Sequence, residues 1–279
     1  MIRDNSTHRK VPTTNRPRVA ICCYSGSGNT RLACEFIAAG MAGVDTEFCD
    51  IARGQTPDWE ACDLVGFAAF TDFWGAPWLV HDYLGRVPIQ QGKPAFVFTT
   101  FGFTPGRSLR MLADWATERG FRVVAGSGLH MPENYPPMIA RGRGAEGAPS
   151  EAELREFRGF VGALCDIAAR LDRGEEVAAR RPAVGLLPQV IRFPRTKARD
   201  DMGEKFVDTE LCNECGVCAK RCPYGAITLA PKPVFDTAKC FGCWACYNHC
   251  PTKAIYTQKF RGVGHYARPS GLLRAKLRP

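Results

Sequence analysis

Apolar and polar positions divide this chain into two regimes. Over residues 18–175, short unbroken apolar runs alternate with stretches of helical period. The runs fall at 18–24, 46–51, 64–70, 94–101 and 121–126. A run that is apolar at consecutive positions, rather than at every second one, marks a strand buried on both faces. Between the runs, 31–41, 77–86 and 107–119 read as helices. The last helix opens at Ser150, where Glu153 three residues on completes a capping box. Leu154, Phe157, Phe160, Val161, Leu164, Ile167, Ala168 and Leu171 follow at helical spacing. Strands alternating with helices predict an α/β domain, a doubly wound five-stranded parallel sheet covered on both faces. Its ligand is expected beyond the carboxyl ends of the strands.

The periodicity fails over residues 176–203, where Pro182, Pro188 and Pro194 punctuate a basic stretch that reads as a linker. Leu186, Leu187, Val190, Ile191 and Phe193 within it are apolar enough to dock between domains. Residues 204–261 form a second, small α+β domain. Residues 1–17 read as a disordered basic N-terminus and 262–279 as a basic C-terminal tail. A length of 279 residues accommodates two domains. No apolar run approaches the ~20 residues that a membrane span needs, and the polar first residues lack the apolar core of a secretory signal.

The second domain carries the strongest pattern. It reads Cys212-x-x-Cys215-x-x-Cys218-x-x-x-Cys222-Pro223 and repeats as Cys240-x-x-Cys243-x-x-Cys246-x-x-x-Cys250-Pro251. Ala226-Ile227 and Ala254-Ile255 recur at the same offset, so the halves are an internal repeat that can pack as a pseudo-symmetric pair. Three thiolates two residues apart wrap three corners of an iron–sulfur cube, and the fourth corner comes from elsewhere. This is the bacterial two-cluster ferredoxin spacing, in which the fourth cysteine of each run serves the other cluster. Cluster one takes Cys212, Cys215, Cys218 and Cys250. Cluster two takes Cys240, Cys243, Cys246 and Cys222. Structural zinc also uses Cys-x-x-Cys pairs, but needs neither the third cysteine of each run nor the prolines. Lys220, Arg221, Lys239 and Lys253 lie close by in sequence and are expected to favour the reduced, more negative clusters. Thiolate ligands imply a reducing compartment, so the chain is expected to be cytoplasmic and anaerobic in habit. The other cysteines, Cys22, Cys23, Cys34, Cys49, Cys62 and Cys165, sit in apolar strand or helix contexts and read as core.

In the first domain the first strand runs into Ser25-Gly26-Ser27-Gly28-Asn29-Thr30 and then a helix. Strand, Gly/Ser/Thr loop and helix is an anion-binding arrangement, with N–H groups and hydroxyls converging at a helix N-terminus. There is no Gly-Lys-Ser/Thr ending, which disfavours a nucleoside-triphosphate loop. Gly142-Arg143-Gly144-Ala145-Glu146-Gly147 matches the dinucleotide fingerprint but follows no strand, so the context that makes that motif work is missing. His130 and His249 read as structural histidines.

Ser25–Thr30 resembles the phosphate loop of flavodoxins. Joined to a two-cluster ferredoxin, and with residues 131–136 after the fifth strand, the chain resembles the flavodoxin–ferredoxin fusion proteins of anaerobic microbes over roughly residues 18–261. The resemblance implies bound FMN. It places the 5′-phosphate on Ser25, Gly26, Ser27, Gly28, Asn29 and Thr30, held by hydroxyl and amide groups. It places the isoalloxazine loops at Phe73, Trp74 and Gly75 and at Thr100, Phe101, Gly102 and Gly106. Trp74 is the candidate stacking aromatic, and Gly102 and Gly106 let their loop approach the ring edge.

The net charge of +9 raises a nucleic-acid reading, but the excess lies on the termini and linker. Arg180, Arg181, Arg192, Arg195, Lys197 and Arg199 have no acid among them, and the rest of the chain is net acidic. No recognition module is present, so nucleic acid is not an expected partner. The leading expectation is an electron-transfer iron–sulfur flavoprotein linking FMN, two 4Fe–4S clusters and a redox partner protein. An FMN-dependent reductase of a small molecule is the alternative, and an iron–sulfur redox sensor ranks third. The donor, acceptor, direction of flow and oligomeric state are open at this point. Anaerobically purified protein should carry about eight irons per chain with matching acid-labile sulfide. Bound zinc without sulfide would overturn the cluster reading.

Overall fold

The computed structural model describes residues 16–183 and 195–278. Strand β1 (Arg18–Tyr24) is an interior strand of the first domain, and every residue after Arg18 in it is buried. Beside it lie β2 (Asp45–Asp50), β3 (Leu64–Phe70), β4 (Pro94–Phe101) and β5 (Arg122–His130), all parallel, in the order β2-β1-β3-β4-β5. That is the flavodoxin-like doubly wound order, with its switch point between β1 and β3. Alternate residues of β1 feed opposite faces. Val19, Ile21 and Cys23 pack with α1 (Asn29–Gly40) and α5 (Glu151–Asp172), whereas Ala20, Cys22 and Tyr24 pack with α2 (Trp78–Arg86) and α3 (Ser108–Glu118). A Cβ on Gly66 in β3 would collide with the Phe96 ring of β4, so close packing of that ring demands glycine.

The capping box forms as the sequence indicates. Glu153 N–H donates to Ser150 Oγ at 3.3 Å and Ser150 N–H to Glu153 Oε2 at 2.6 Å. Cys22, Cys23, Cys34, Cys49 and Cys62 are buried in the sheet domain and Cys165 is partly buried on α5. Strand β5 runs on to His130, beyond the expected end at 126. A short helix α4 (Pro136–Ile139) follows it.

Two stretches differ from a free linker and a free tail. The linker region 176–203 is partly ordered by the body. Val177 is buried, Arg180 N–H donates to Val123 O at 2.8 Å, and a Cβ on Gly126 would strike Pro182. Helix α6 (Arg195–Met202) then leads into the second domain, with Ala198 and Met202 buried. Leu186, Leu187, Val190, Ile191 and Phe193 lie outside the described residues, as do residues 1–15. The C-terminal segment read as a basic tail is the second difference. It carries α9 (Gly271–Lys276), whose Leu273, together with Leu277, is buried in the same cluster as Val19 and Ile21. Lys276 Nζ donates to the carbonyls of Gly147 and Pro149 at 2.5 and 2.8 Å. Two leucines in a basic stretch are too few for periodicity to reveal, which is why the sequence reading missed them.

The second domain is small and repeats itself. Strand β6 (Lys205–Val207) pairs antiparallel with β9 (Ile255–Thr257), and β7 (Ile227–Leu229) with β8 (Pro233–Phe235). Helices α7 (Val217–Lys220) and α8 (Ala245–His249) occupy matching places in the two halves. Among the described residues no helix is long and apolar enough to cross a membrane.

Leu273→Ala tests whether the C-terminal segment is part of the core. Deleting a fully buried leucine costs about 2–5 kcal/mol, whereas a solvated tail position would stay within about 0.5 kcal/mol. Urea unfolding of the cluster-loaded protein reads the difference.

Candidate functional site

The carboxyl ends of the strands meet the second domain, and three sets of groups converge there. The first is the loop between β1 and α1. Ser25 Oγ accepts from the N–H of Gly28 at 3.1 Å and of Arg31 at 3.2 Å, which folds the loop into the start of the helix. Ser27 Oγ accepts from Asn134 Nδ2 at 3.0 Å, and Thr30 Oγ1 lies 2.8 Å from Thr100 Oγ1. Asn29 Nδ2 donates to Pro132 O at 2.9 Å and its Oδ1 accepts from Tyr266 Oη at 2.8 Å.

The Asn29 side-chain oxygen and one of its two amide N–H groups are therefore engaged within the protein. Ser25 and Ser27 act as acceptors, which leaves their own hydroxyl protons to donate. Among the described residues the N–H groups of Ser27, Asn29 and Thr30 have no acceptor within the protein. Hydroxyl protons and orphan N–H groups at a helix N-terminus are the donor set a phosphate requires.

A cavity of about 300 Å³ opens on this loop, lined by Gly26, Ser27, Asn29, Thr30, Thr100 and Phe101. Phe70, Thr71, Gly102, Glu133 and Asn134 line both it and a larger cavity of about 820 Å³, so the two adjoin. The larger one takes Phe73, Trp74 and Phe103 from the sheet domain and Gly242, Cys243 and Trp244 from the second domain. Ser25, Gly28, Gly75 and Gly106 line neither and shape the loops instead. Asp72 and Gly75 pair across a two-residue turn, with Phe73 and Trp74 both left-handed at φ 51° and 72°. Such a turn ordinarily calls for Asn-Gly. A Cβ on Gly106, whose own φ is 51°, would collide with the Trp74 backbone, and Arg107 N–H donates to Trp74 O at 2.8 Å. Two bulky residues in that region cost of order 1–3 kcal/mol each, a strain that concentrates at ligand-holding sites.

Glu133 lies at the junction of the cavities. Burial pushes its carboxyl up, partly offset by the N–H groups of Tyr135 and Asn134 at 3.1 and 2.9 Å. His249 reaches across from the second domain, with Nε2 2.8 Å from Gly26 O, and burial holds its ring below the usual histidine range. A neutral imidazole can donate there through Nε2–H. His130 bonds Glu153 at 3.0 Å and stacks on Phe101, a structural use. The Gly142–Gly147 loop lies between α4 and α5, where Gly144 O accepts from Glu133 N–H.

The third set is cysteine. One cavity of about 330 Å³ is lined by Cys212, Cys215, Cys218 and Cys250, with Leu229, Pro233 and Ile255. A second of the same volume is lined by Cys222, Cys240, Cys243 and Cys246, with Met202, Ile227 and Phe235. Each cavity thus gathers three cysteines of one run and the fourth of the other. Backbone N–H groups donate to the sulfurs, from Ala226 to Cys222 at 3.3 Å, Gly242 to Cys240 at 3.4 Å and Ala254 to Cys250 at 3.2 Å. Burial pushes the Cys243 thiol up to about 12 and raises Cys218 and Cys246 as well, so loading metal here must release protons. Among the described residues no three His, Cys, Asp or Glu side chains gather around a single ion. Thiolates at the corners of a four-iron cube stand farther apart than those on one zinc. The donor set and the apolar walls fit 4Fe–4S clusters.

Sequence reading missed several residues here. Lys220, Arg221, Lys239 and Lys253 line neither cysteine cavity, whereas Lys205 lines the second. Trp244, 3 % exposed, lines both the second cysteine cavity and the large one. The repeat itself held the signal, since Trp244 stands where the first half has Gly216, and both are left-handed at φ 62° and 68°.

In comparison with known proteins, the family described as a 4Fe-4S binding domain matches residues 205–228 and 233–256. The C-terminal part is therefore a ferredoxin domain, and its two matched stretches correspond to two 4Fe–4S clusters. No curated protein matches the chain. Among solved structures it is similar to a flavodoxin from the domain Archaea, at 19 % identity over 55 % of this chain and 99 % of that one, with a TM-score of 0.38. It is also similar to a WrbA-like flavodoxin from Agrobacterium tumefaciens, at 18 % identity over 55 % and 98 %, with a TM-score of 0.42. Flavodoxin 2 from Bacillus cereus aligns at 17 % identity over 54 % and 99 %, with a TM-score of 0.39. By its own strand order the first domain has the flavodoxin-like fold, so this fold and a ferredoxin domain stand in one chain.

The crossed grouping has a direct test. Cys222→Ala should lower the iron content from about eight to about four per chain, with loss of the cluster beside Cys240, Cys243 and Cys246. Survival of that cluster and loss of the one beside Cys212 would mean that each run supplies its own fourth ligand.

Proposed function

We propose that this protein transfers electrons between FMN in the adjoining cavities of the first domain and a redox partner, through the two 4Fe–4S clusters of the second. One observation carries the reading: Cys243 and Trp244 line both the large cavity and the second cysteine cavity. The wall between a flavin and a cluster is then a single loop. FMN exchanges two electrons and each cluster one, so the fusion can pair one-electron and two-electron chemistry.

The chain's own groups divide this work. Ser27 Oγ and the N–H groups of Ser27, Asn29 and Thr30 hold the phosphate, on a loop that Ser25 folds. The turn of Phe73 and Trp74 and the loop at Gly102 flank the ring, with Trp74 the candidate for stacking. Cys222, Cys240, Cys243 and Cys246 hold the inner cluster, and Cys212, Cys215, Cys218 and Cys250 the outer one. Cys215 is exposed, which favours the outer cluster as the point where a partner protein exchanges electrons. Cytoplasmic location and an anaerobic setting belong to the same reading.

The alternative is a reductase of a small molecule, and Glu133, Asn134 and Tyr135 supply an observation in its favour. They line the large cavity from above β5 and put a protonatable carboxyl there. Asp72 lines the same cavity as Glu133, but the wall shared with a cysteine cavity makes electron transfer to a protein the better reading.

FMN should be present at about one per chain, as one switch-point site implies. In the flavin-free, cluster-loaded protein, FMN should bind roughly tenfold or more tightly than riboflavin. Hydrogen bonds to a charged group are worth about 1.5–3 kcal/mol, and riboflavin lacks the phosphate. Fluorescence titration with the two flavins measures this, and equal affinities would remove the phosphate from the β1–α1 loop.

A further inference from the structure

The two halves of the ferredoxin domain are matched residue for residue, and the matched stretches begin at Lys205 and at Pro233. These equivalent residues open equivalent strands, β6 and β8. Lys205 lines the second cysteine cavity and Pro233 the first. They face corresponding clusters of opposite halves because the strands pair across the repeat. Their chemistry is not equivalent. Lys205 is 9 % exposed, and its Nζ donates to Cys240 Sγ at 3.0 Å, with the Phe235 ring centroid 5.8 Å away. Pro233 offers neither a charge nor a side-chain donor. The first cavity has Glu214 on its wall instead, whose carboxylate is 3.9 Å from Lys232 Nζ.

A cluster gains negative charge when it is reduced, and its potential follows net charge and hydrogen bonds to its sulfurs. An ammonium on a ligand sulfur stabilises the reduced form, and a carboxylate beside the other cluster opposes it. Burial of the second cavity acts against Lys205 by disfavouring added charge. Low dielectric also strengthens the attraction of an ammonium at hydrogen-bond distance, so the contact outweighs the burial.

We propose that Lys205 sets the potential of the inner cluster above that of the outer one, so that an electron arriving by the outer cluster rests beside the flavin cavity. This rests on the two-cluster reading above. Lys205 is a positioning residue for charge, and it contacts a ligand rather than the flavin.

The test is an EPR-monitored redox titration of the cluster-loaded protein, with iron and sulfide quantified in every sample. In Lys205→Met the higher of the two potentials should fall by a tenfold change in the reduction equilibrium or more, about 59 mV for a one-electron couple. The lower one should stay in place. Lys205→Arg should keep most of the wild-type gap. The reciprocal change Pro233→Lys should raise the lower potential and narrow the gap. Two intact clusters with both potentials unmoved in Lys205→Met would overturn the inference and leave the cluster reading standing. A wild-type protein with fewer than two clusters would overturn both. If Lys205→Met and Lys205→Gln both fail to assemble the inner cluster, the lysine serves assembly and the inference falls.

Discussion

Asn134 is the contact on which the geometry of the site depends. Its Nδ2 donates to Ser27 Oγ in the anion loop, its carbonyl accepts from Asn248 Nδ2 of the ferredoxin domain at 2.8 Å, and its N–H bonds Glu133. One residue of the sheet domain therefore ties the loop of β1, the cavity wall and the cluster-bearing helix α8 together. Hydrogen bonds of this kind contribute only about 0.5–1.5 kcal/mol each to stability. They are directional, however, and a buried network is costly when half satisfied. Asn248 completes the network by accepting from Tyr266 N–H at 3.1 Å, and Tyr266 in turn reaches Asn29. These directional contacts act together with apolar packing of Tyr135 on Trp244 to orient the two domains.

The chain uses its own C-terminus to hold that arrangement. After the ferredoxin domain it returns to the sheet domain. Tyr247 Oη donates to Val263 O at 2.7 Å, and its ring stacks on His265 at 4.1 Å. Pro269 lies against Gly28, whose left-handed φ of 99° starts α1. Leu273 and Leu277 then enter the core beneath α1 and α5. The ferredoxin domain is thus anchored where it ends, by α9. Its cysteine cavities cannot swing away from the large cavity without pulling leucines from the core, a cost of the order of a buried side chain each.

The parallel sheet was legible because a strand buried on both faces must be apolar at every position, as Arg18–Tyr24 is after its first residue. Cysteine spacing was legible because cluster geometry admits few loops. The contacts between domains were not. Asn134, Asn248 and His249 are ordinary polar residues whose partners lie far away in sequence, and no periodicity marks them. The side-chain chemistry of the anion loop was only half legible. Composition shows hydroxyls and an amide, but not that the Asn29 amide is taken up by Pro132 and Tyr266. Lys205 escaped notice because proximity in sequence pointed to Lys220, Arg221, Lys239 and Lys253. Antiparallel pairing across the repeat brings a residue ahead of the first run onto a ligand of the second.

One departure from symmetry lies on the wall of the large cavity. A repeat that wraps two cubes needs only one design, and the first half keeps it, with Gly216 where the loop turns left-handed. In the second half Trp244 takes up that conformation at φ 62°, where a side chain costs energy that glycine does not. Packing compensates, since the indole meets Tyr135, Tyr247 and Phe260 at ring separations of 5.9, 5.3 and 5.7 Å. Tyr135 comes from the sheet domain, so the partner that makes the tryptophan tolerable exists only because the domains are joined. On the opposite wall, Phe73 and Trp74 adopt the same rare conformation. Left-handed side chains from both domains thus line one cavity, while the outer half keeps glycine at the turn equivalent to Trp244 and places a left-handed Glu214 where the inner half has Gly242. A repeat serving two isolated clusters would have no physical reason to differ there. A repeat with one half built against the large cavity does, because the thin wall shared by two cavities has to be rigid and filled by side chains rather than water.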